Sequence, residues 1–286
     1  MNEGKFRRMK PQWLNKKINL GACNTMKFFL RDLKIETVCE QALCPNMGEC
    51  FSSGQATFLI LGRHCTRFCK FCNIDKGVPD PLDFEEPVRV AEATERLKLK
   101  HVVITSVTRD DLPDGGAGMF TRTVAALRSA APACTVELLI PDFQNSASAV
   151  KTAACSYPEI IAHNVETVPS LYSRVRQGAV YLRSLDVLRA VKGFAPQVKT
   201  KSGIMLGMGE SPDEVITVLS DLRGAGCDFL SIGQYLAPSS RHYPVQEYIS
   251  PEQFDRYKET ALSLGFSFVV SGPYVRSSYM AGKYVR

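Results

Sequence analysis

The sequence predicts an α/β protein, a partial (β/α)6 TIM-type barrel with N-terminal and C-terminal extensions that close the barrel mouth. The main observation is that six apolar, β-rich runs alternate with amphipathic segments along the 286 residues. The runs occupy residues 56–61, 101–107, 135–140, 159–162, 198–205 and 229–232. Continuous apolar strands separated by helices are typical of a parallel sheet covered by helices, and α/β barrels of this length are common as single domains.

The segments between these runs predict the covering helices, at residues 88–99, 119–131, 184–195 and 212–224. Two helix starts are well marked, because Ser211-Pro212 and Ser250-Pro251 each place serine at the N-cap and proline at the first helical position. We therefore expect an N-terminal extension (1–54), a barrel (55–235) and a C-terminal extension (236–286).

Three cysteines directly follow the first strand-like run. The segment HCTRFCKFC places Cys65, Cys69 and Cys72 in a CX3CX2C spacing, called here the downstream triplet. Iron–sulfur clusters normally have four cysteine ligands, so three thiolates would leave one iron open, as catalytic metal sites leave a position open. The alternative is a zinc site, but zinc ligands usually form a tetrahedral set of four Cys or His.

A second group of three cysteines lies just before the first. Cys39, Cys44 and Cys50 have a CX4CX5C spacing, called here the upstream triplet, and again no obvious fourth ligand. Six of the ten cysteines therefore lie between positions 39 and 72, and we expect the scattered remainder to be small buried hydrophobic side chains. Clustered thiols with no apolar secretion segment after the basic start predict a reducing compartment, the cytoplasm.

The two triplets together resemble the lipoyl synthase family of radical S-adenosylmethionine (SAM) enzymes. Other stretches similar to that family extend from about Lys10 to Ala281. They are KPQWLNKKI, CPNMGEC, ATFLILGRHCTRFCKFCNI, TSVTRDDLPDGGA, HNVETVPSLYSRVR, TKSGIMLGMGE, IGQYLAPSSRHYPV and RSSYMA. One departure is Arg176-Gln177-Gly178, where the family usually has Arg-Pro-Gly, and the missing proline frees one loop dihedral.

The resemblance implies two four-iron, four-sulfur (4Fe-4S) clusters. The downstream triplet would hold the one whose open iron binds the amino and carboxylate groups of SAM. The upstream triplet would hold an auxiliary cluster, with a serine oxygen of the RSSY tail as fourth ligand. We assign this oxygen to Ser278, and the adjacent Ser277 stays an alternative. Oxygen is a harder ligand than thiolate, so this cluster would open easily, as expected of a sulfur donor.

The resemblance also implies the reaction. A 5′-deoxyadenosyl radical would remove hydrogen from C6 and then C8 of an octanoyl chain on a lysine, and sulfides of the auxiliary cluster would replace them. Each lipoyl group would use two SAM molecules. The implied partners are an octanoylated lipoyl carrier domain (a 2-oxoacid dehydrogenase E2 subunit or the glycine cleavage H protein), a ferredoxin or flavodoxin as reductant, and a cluster-repair protein.

Residues at the expected barrel mouth are candidates for binding SAM, because reactive residues of parallel barrels gather at the C-terminal ends of the strands. The candidates are Phe71 for the adenine ring, Thr105 and Ser106 for the amino or carboxylate end of the methionine moiety, Asn164 and Glu166 for the ribose hydroxyls, and Lys201 for the carboxylate. The alternative for Phe71 is a core residue, and for Lys201 a surface lysine. Gly203, Gly207 and Glu210, with Met205, approximate a family pattern near the adenine, while His163 is expected to be structural.

The net charge of +6 is concentrated at the N-terminus. One acidic residue, Glu3, is outnumbered there by six basic residues: Lys5, Arg7, Arg8, Lys10, Lys16 and Lys17. Such an arm would steer an acidic partner by long-range attraction, or it is simply a solvated terminus. No basic patch interleaved with aromatic residues continues into the body and no apolar run is long enough to cross a membrane, so we expect a protein that binds neither nucleic acid nor membrane. We also expect a monomer.

Three other functions stay open at this point. They are a different radical sulfur-inserting enzyme of the biotin synthase type, a two-cluster electron-transfer protein, and a zinc-bound structural module. The CX4CX5C spacing and the RSSY tail count against the first. An electron-transfer protein would not form 5′-deoxyadenosine, and a zinc protein would be colourless.

Overall fold

In a computed structural model, which describes residues 10–15, 20–52 and 55–285, a single eight-stranded sheet has its strands in sequential order. The first pair is antiparallel, and every later pair is parallel. The strands are β1 (Glu36–Thr37), β2 (Thr57–Ile60), β3 (His101–Ser106), β4 (Thr135–Leu139), β5 (Ile160–Ala162), β6 (Lys199–Leu206), β7 (Phe229–Gln234) and β8 (Phe268–Gly272). Strands β2 to β7 coincide with the six predicted runs, which confirms the predicted α/β fold.

Two strands were not predicted. Strand β8 adds a seventh parallel strand, and it lies within the predicted C-terminal extension. Only one of its residues is fully buried, so it lacks the long apolar run of the barrel strands. Strand β1 has two residues, too few for any periodic pattern. The domain boundaries themselves stay a prediction.

Ten α-helices are described, and those after β2 cover the sheet. They are α1 (Leu20–Asp32), α2 (Val38–Gln41), α3 (Met47–Ser52), α4 (Glu86–Arg96), α5 (Ala117–Ala130), α6 (Ala147–Ala154), α7 (Tyr172–Val175), α8 (Tyr181–Phe194), α9 (Pro212–Gly224) and α10 (Pro251–Ser263). Both predicted helix starts are confirmed. The Ser211 hydroxyl accepts a hydrogen bond from the Glu214 N–H in a capping box, and Ser250 does the same for Gln253.

A buried ion pair lies at the end of the barrel opposite the mouth. The Lys201 ammonium, near the start of β6, donates to both carboxylate oxygens of Glu137 at 2.9 and 3.0 Å, and both side chains are fully buried. Burial would raise the pKa of Glu137, but Lys201 and His101 together outweigh this and hold that pKa below its ordinary value. Lys201 is therefore neither a surface residue nor available to the carboxylate of SAM, which corrects the prediction made for it.

The C-terminal tail passes from the mouth to this opposite end. After β8, residues 274–279 lie at the mouth, as expected of a closing segment. Tyr284 then packs against the rings of Phe229 and Phe268, which begin β7 and β8. The Lys201 ammonium lies 3.9 Å from the centroid of the Tyr284 ring, a cation–π contact. The tail thus closes both ends of the barrel.

Of the basic N-terminal arm, only residues 10–15 are among those described, so its predicted steering role lies largely outside the described residues. Within the described part of the chain, no helix combines the length and apolar character needed to cross a bilayer.

Removal of the Lys201 charge should destabilise the protein strongly. We expect Lys201→Met to lower the free energy of unfolding by about 3–5 kcal/mol, because buried Glu137 would lose the cation that donates to both of its oxygens and keep only the His101 ring, 3.8 Å away. The double variant Lys201→Met/Glu137→Leu should recover most of this loss. Anaerobic chemical denaturation measures both. The control is Lys199→Met on the same strand, where a half-exposed ammonium lies 3.8 Å from Asp228. Equal unfolding midpoints for Lys201→Met and Lys199→Met would contradict the conclusion that Lys201 and Glu137 form a stabilising buried ion pair.

Candidate active site

The barrel mouth contains a cavity of about 430 Å³ that is bordered by four separate parts of the chain. The upstream triplet contributes all three of its cysteines. The downstream segment contributes Phe71 and Cys72, the strand ends contribute Asn164 and Glu166, and the tail contributes residues 275–279. The structure therefore brings both cysteine groups and the RSSY tail to one space, although Cys50 and Ser278 are far apart in sequence.

The loop of the downstream triplet is held by the loops that follow β3 and β4. The Cys65 thiol accepts hydrogen bonds from the backbone N–H groups of Arg67 and Thr108, at 3.5 and 3.3 Å. The buried Arg67 guanidinium donates to both oxygens of Asp110, at 2.7 and 2.9 Å, and to Asp142 at 2.6 Å. Burial would raise the pKa of Asp142, but Arg67 outweighs it and lowers that pKa to about 2. The Thr108–Asp110 part of the TSVTRDD motif thus supports the cysteine loop.

Desolvation disfavours the ionised forms of three of the triplet thiols, those of Cys39, Cys69 and Cys72. Burial raises the pKa of Cys69 to about 11, although the Arg176 charge opposes it. Burial, together with the neighbouring Cys44, raises the pKa of Cys39 to about 12. Metal ligands must be thiolates, so bound cations are needed to hold such groups ionised at neutral pH. Without a bound cation, the Cys39 and Cys69 thiols are therefore protonated at neutral pH.

The cysteine geometry differs from that of a single-ion site. No three Cys, His, Asp or Glu side chains in the described ranges converge on one point where a metal ion would lie. In a four-iron cluster each thiolate binds a different iron, so its cysteines need not converge in this way. The donor set at the mouth fits two such clusters. One group offers three thiolates and a hydroxyl, and the other offers three thiolates.

The tail is attached to the segment of the upstream triplet on both sides of its serines. The Asn46 side chain donates to the Tyr274 carbonyl at 2.6 Å, and the Tyr279 hydroxyl donates to Glu49 at 2.9 Å. At the end of β7, a side chain on Gly233 would overlap the Val275 carbonyl oxygen. Only glycine allows this close approach, which places the tail serines at the cavity.

The two tail serines have different partners. The Ser277 hydroxyl donates to the Asn164 side-chain oxygen at 3.0 Å. Among the described residues no hydrogen bond is formed by the hydroxyl of Ser278, which also borders the cavity. This difference favours Ser278 over Ser277 as the residue with an oxygen available to iron.

The residues predicted to contact SAM divide into two groups. Phe71, Asn164 and Glu166 border the cavity, and the Asn164 amide donates to Glu166 at 3.0 Å. Burial raises the pKa of Glu166, although the Arg176 charge opposes it. Thr105 and Ser106 lie at the end of β3 and do not border the cavity.

Thr105 and Ser106 also differ from each other. The Thr105 hydroxyl donates to the Leu139 carbonyl at 2.8 Å, which pins β3 to β4. The Ser106 hydroxyl is buried and has no hydrogen-bond partner among the residues that the structure describes. Such an unpartnered buried hydroxyl is costly, so Ser106 is the better candidate for a ligand contact.

Gly203 and Glu210, two residues of the pattern expected near the adenine, have different roles. A side chain on Gly203 would come within 2.9 Å of both the Asn164 and the Ser231 side-chain oxygens, so glycine leaves room for the Asn164 amide. Glu210 accepts hydrogen bonds from the N–H groups of Gly207 and Met208, and so caps the turn after β6. Its role is local structure and not contact with a ligand in the cavity.

His163 is structural, as predicted. Its ring nitrogens contact the Ile140 carbonyl at 2.9 Å and the Ser184 hydroxyl at 3.0 Å. Burial, with the nearby Arg176 charge, lowers its pKa to about 4. The ring is therefore neutral at physiological pH.

Sequence reasoning missed two arginines. Arg67 lies inside the downstream triplet, and only its position between two cysteines could have indicated a role. Arg176 donates to the Val165 carbonyl and to the Tyr172 and Ser184 hydroxyls, at 3.3, 3.0 and 3.2 Å. These bonds hold Arg176, the first residue of the Arg176-Gln177-Gly178 loop. The next residue, Gln177, stands where the family usually has proline.

Comparison of sequences shows extensive similarity to one group of enzymes. The model of the Radical SAM superfamily matches residues 59–222. The chain is 60% identical over 275 residues to lipoyl synthase from Geobacter metallireducens, covering 96% of this chain and 97% of that one. It is 59% identical to lipoyl synthase from Trichlorobacter lovleyi, with coverage of 96% and 98%.

Solved structures show the same fold at low sequence identity. SuiB of Streptococcus suis bound to S-adenosylmethionine has a TM-score of 0.58 at 11% identity, covering 79% of this chain and 54% of that one. HydG, a maturase of the FeFe-hydrogenase, has a TM-score of 0.54 at 14% identity, covering 88% and 68%. These likenesses concern the barrel fold alone.

Replacement of Arg67 should loosen the cysteine loop. Arg67→Lys keeps the charge but loses the planar fork that contacts two carboxylates, and we expect a loss of about 2 kcal/mol in the free energy of unfolding. We also expect substoichiometric iron at the downstream triplet. Iron is counted in a background where the upstream cysteines are alanine. The control is Arg63→Lys, an exposed arginine in the same region. Full iron content in Arg67→Lys would disprove the supporting role.

Proposed function

The chain belongs to the lipoyl synthase family within the radical SAM superfamily, and from this premise we propose that it is a sulfurtransferase that completes a lipoyl group on a carrier protein. The substrate is an octanoyl chain, amide-linked to a lysine of a lipoyl carrier domain. Two sulfur atoms enter this chain, at C6 and C8. The cofactors are two 4Fe-4S clusters and two SAM molecules for each lipoyl group.

One observation supports this proposal above the others. The same cavity is bordered by the whole upstream triplet, by Cys72 of the downstream triplet and by Ser278. A sulfur donor and a hydrogen-abstracting centre must both reach one carbon chain, so both must border the space in which that chain lies. Apolar residues such as Leu139, Ile204 and Val275 also border it, which suits an octanoyl chain.

The two cysteine triplets hold different clusters. The downstream triplet holds the cluster that binds SAM, and the upstream triplet with Ser278 holds the second cluster. When bound, these groups supply hydrogen abstraction from an unactivated carbon and the sulfur that replaces the hydrogen, which no acid or base side chain can do.

The other candidates position SAM. Phe71 packs on the adenine ring, while Asn164 and Glu166 bind the ribose hydroxyls. The unpartnered Ser106 hydroxyl binds the methionine end, and Thr105 keeps that end of β3 in place. The tail excludes water, because residues 275–279 cover the cavity from the side of the upstream triplet.

Three partners follow from this function. They are the octanoylated carrier domain, a low-potential ferredoxin or flavodoxin that delivers electrons, and a protein that rebuilds the consumed cluster. We place the protein in the cytoplasm as a monomer. The nine cysteines whose side chains are described are all free thiols, which suits a reducing compartment.

Cysteine variants should separate the formation of 5′-deoxyadenosine from the addition of sulfur. We expect Cys39→Ala to form 5′-deoxyadenosine without adding sulfur, because only the upstream triplet is damaged. Cys65→Ala should form neither product. The assay contains anaerobically reconstituted protein, dithionite, SAM and an octanoyl-lysyl peptide, and mass spectrometry follows both products. Sulfur addition by Cys39→Ala would disprove the assignment of the sulfur donor to the upstream triplet. Absence of 5′-deoxyadenosine from the intact protein would disprove the proposed function.

The two serines should differ in the same assay. Ser278→Ala should lower the iron bound by the upstream triplet and abolish sulfur addition. Ser277→Ala removes only the hydrogen bond to Asn164, so it should retain the upstream iron and lose about 10-fold in rate, as is typical when a supporting contact is removed. Ser278→Cys tests the ligand role directly, because a thiolate should restore iron binding. The reverse pattern would assign the iron to Ser277.

A further inference from the structure

Tyr284 fills a socket in the end of the barrel opposite the mouth. Its ring lies 5.4 Å from that of Phe229 and 5.0 Å from that of Phe268, measured between centroids. The Lys201 ammonium lies 3.9 Å from the Tyr284 centroid, and the Tyr284 hydroxyl donates to the Leu230 carbonyl at 3.4 Å. Only 5% of Tyr284 is exposed. A buried aromatic ring with such contacts is a strong anchor for the segment that carries it.

The walls of this socket belong to the barrel itself. Phe229 and Phe268 are paired in the register of β7 and β8. The Lys201 ammonium is held by both carboxylate oxygens of Glu137. Because two strands and a buried ion pair form its walls, the socket keeps Tyr284 at a fixed place in the barrel.

A tightly turned segment joins Tyr284 to Ser278, six positions earlier in the chain. Four backbone N–H groups in this part of the tail donate to the carbonyl three residues before, and the four turns overlap. The bonds are Tyr279 to Arg276 at 2.9 Å, Ala281 to Ser278 at 3.3 Å, Lys283 to Met280 at 2.9 Å and Tyr284 to Ala281 at 3.1 Å. Since the Ser278 carbonyl accepts one of these bonds, a displacement of Tyr284 also displaces the Ser278 backbone.

Met280, within this segment, has a left-handed backbone conformation. Its φ and ψ angles are 54° and 32°, a region that a side chain such as methionine seldom adopts. Such a conformation persists only where the surrounding structure imposes it. The tail is therefore held on both sides of Met280, by the socket on one side and at the mouth on the other.

The Ser278 hydroxyl depends on its backbone for its position. It forms no hydrogen bond with any residue that the structure describes. The mouth contact that follows it, from the Tyr279 hydroxyl to Glu49, is exposed, and an exposed hydrogen bond competes with water and contributes little. Tyr284 supplies a buried anchor on this side of Ser278.

We propose that Tyr284 is a positioning residue for Ser278, an inference that rests on the proposed function. The ring, held in its socket, sets the place of the tail from which the Ser278 hydroxyl reaches the iron of the upstream triplet. Tyr284 does not border the cavity, so it acts through the backbone of the tail. If the ring only stabilised the barrel, its removal would lower stability and leave the iron ligands intact.

Iron binding at the upstream triplet tests the proposal, in a background where Cys65, Cys69 and Cys72 are alanine. The variants are Tyr284→Leu, which empties the socket, and Tyr284→Phe, which keeps the ring. The matched control is Tyr257→Leu, because Tyr257 on α10 is also 5% exposed and does not border the cavity. Iron is counted per chain after anaerobic reconstitution. Mössbauer spectroscopy distinguishes three-iron from four-iron clusters, and chemical denaturation measures stability.

We expect about three irons per chain in Tyr284→Leu and about four in Tyr284→Phe and Tyr257→Leu, because each iron of a four-iron cluster needs its own protein ligand to be retained here. Tyr284→Leu combined with Ser278→Cys should regain the fourth iron, since thiolate is the softer ligand that iron–sulfur clusters prefer. Equal iron in Tyr284→Leu and Tyr257→Leu would overturn the proposal. Failure of Ser278→Cys to restore the fourth iron would also overturn it.

A second variant decides the matter if Tyr284→Leu does not fold. A glycine inserted between Gly282 and Lys283 leaves the ring available to its socket but breaks the series of turns. We expect this variant to lose the fourth iron with an unfolding midpoint close to that of the unmodified protein, and four bound irons would overturn the proposal. If the upstream triplet held no four-iron cluster even with Tyr284 and Ser278 unchanged, the proposed function itself would fail.

Discussion

The site depends on the contact between one buried guanidinium and two carboxylates. Arg67 lies between two cysteines, while Asp110 and Asp142 follow neighbouring strands of the barrel. The cluster loop has no regular secondary structure, and its backbone is joined to other segments by hydrogen bonds at Cys65, Thr66 and Lys70. The planar fork of arginine, which is always charged and contacts two carboxylates at once, ties this loop to the rigid sheet. The wall of the cavity at Phe71 takes its position from this tie, because Phe71 belongs to the same loop.

The opposite wall of the cavity is built in another way. There the tail and the segment of the upstream triplet hold each other, through Asn46 with Tyr274 and through Tyr279 with Glu49. Neither segment belongs to the barrel, and the barrel adds mainly a place without a side chain, Gly233, where the tail lies on β7. The downstream triplet is therefore fixed by buried charge and the tail by mutual hydrogen bonds. A cluster that is retained suits the first arrangement, and one that is dismantled and rebuilt suits the second.

The parts of this fold that depend on local pattern could be predicted from sequence, whereas the distant pairings could not. Six strands were evident because each is a continuous apolar run, and the starts of α9 and α10 were evident because capping involves residues three apart. Lys201 was misassigned, since its partner Glu137 is 64 positions away and nothing near either residue indicates the pair. The contact of Arg67 with Asp142 spans 75 positions and was missed for the same reason. The cysteines and Ser278 were identified through resemblance to a family, and the structure adds that the whole upstream triplet, Cys72 and Ser278 border one cavity.

The distance along the chain between the tail and the upstream triplet also sets an order of events during synthesis. Asn46 and Tyr274, which join the two segments, are 228 positions apart, so their contact must wait for nearly the whole chain to leave the ribosome. At typical elongation rates this delay is roughly 10 to 45 s. The downstream triplet, by contrast, lies within eight residues and is available much earlier. During that interval the cell holds a nascent chain with three upstream thiols and no covering tail. The upstream triplet therefore meets the tail only at the end of synthesis.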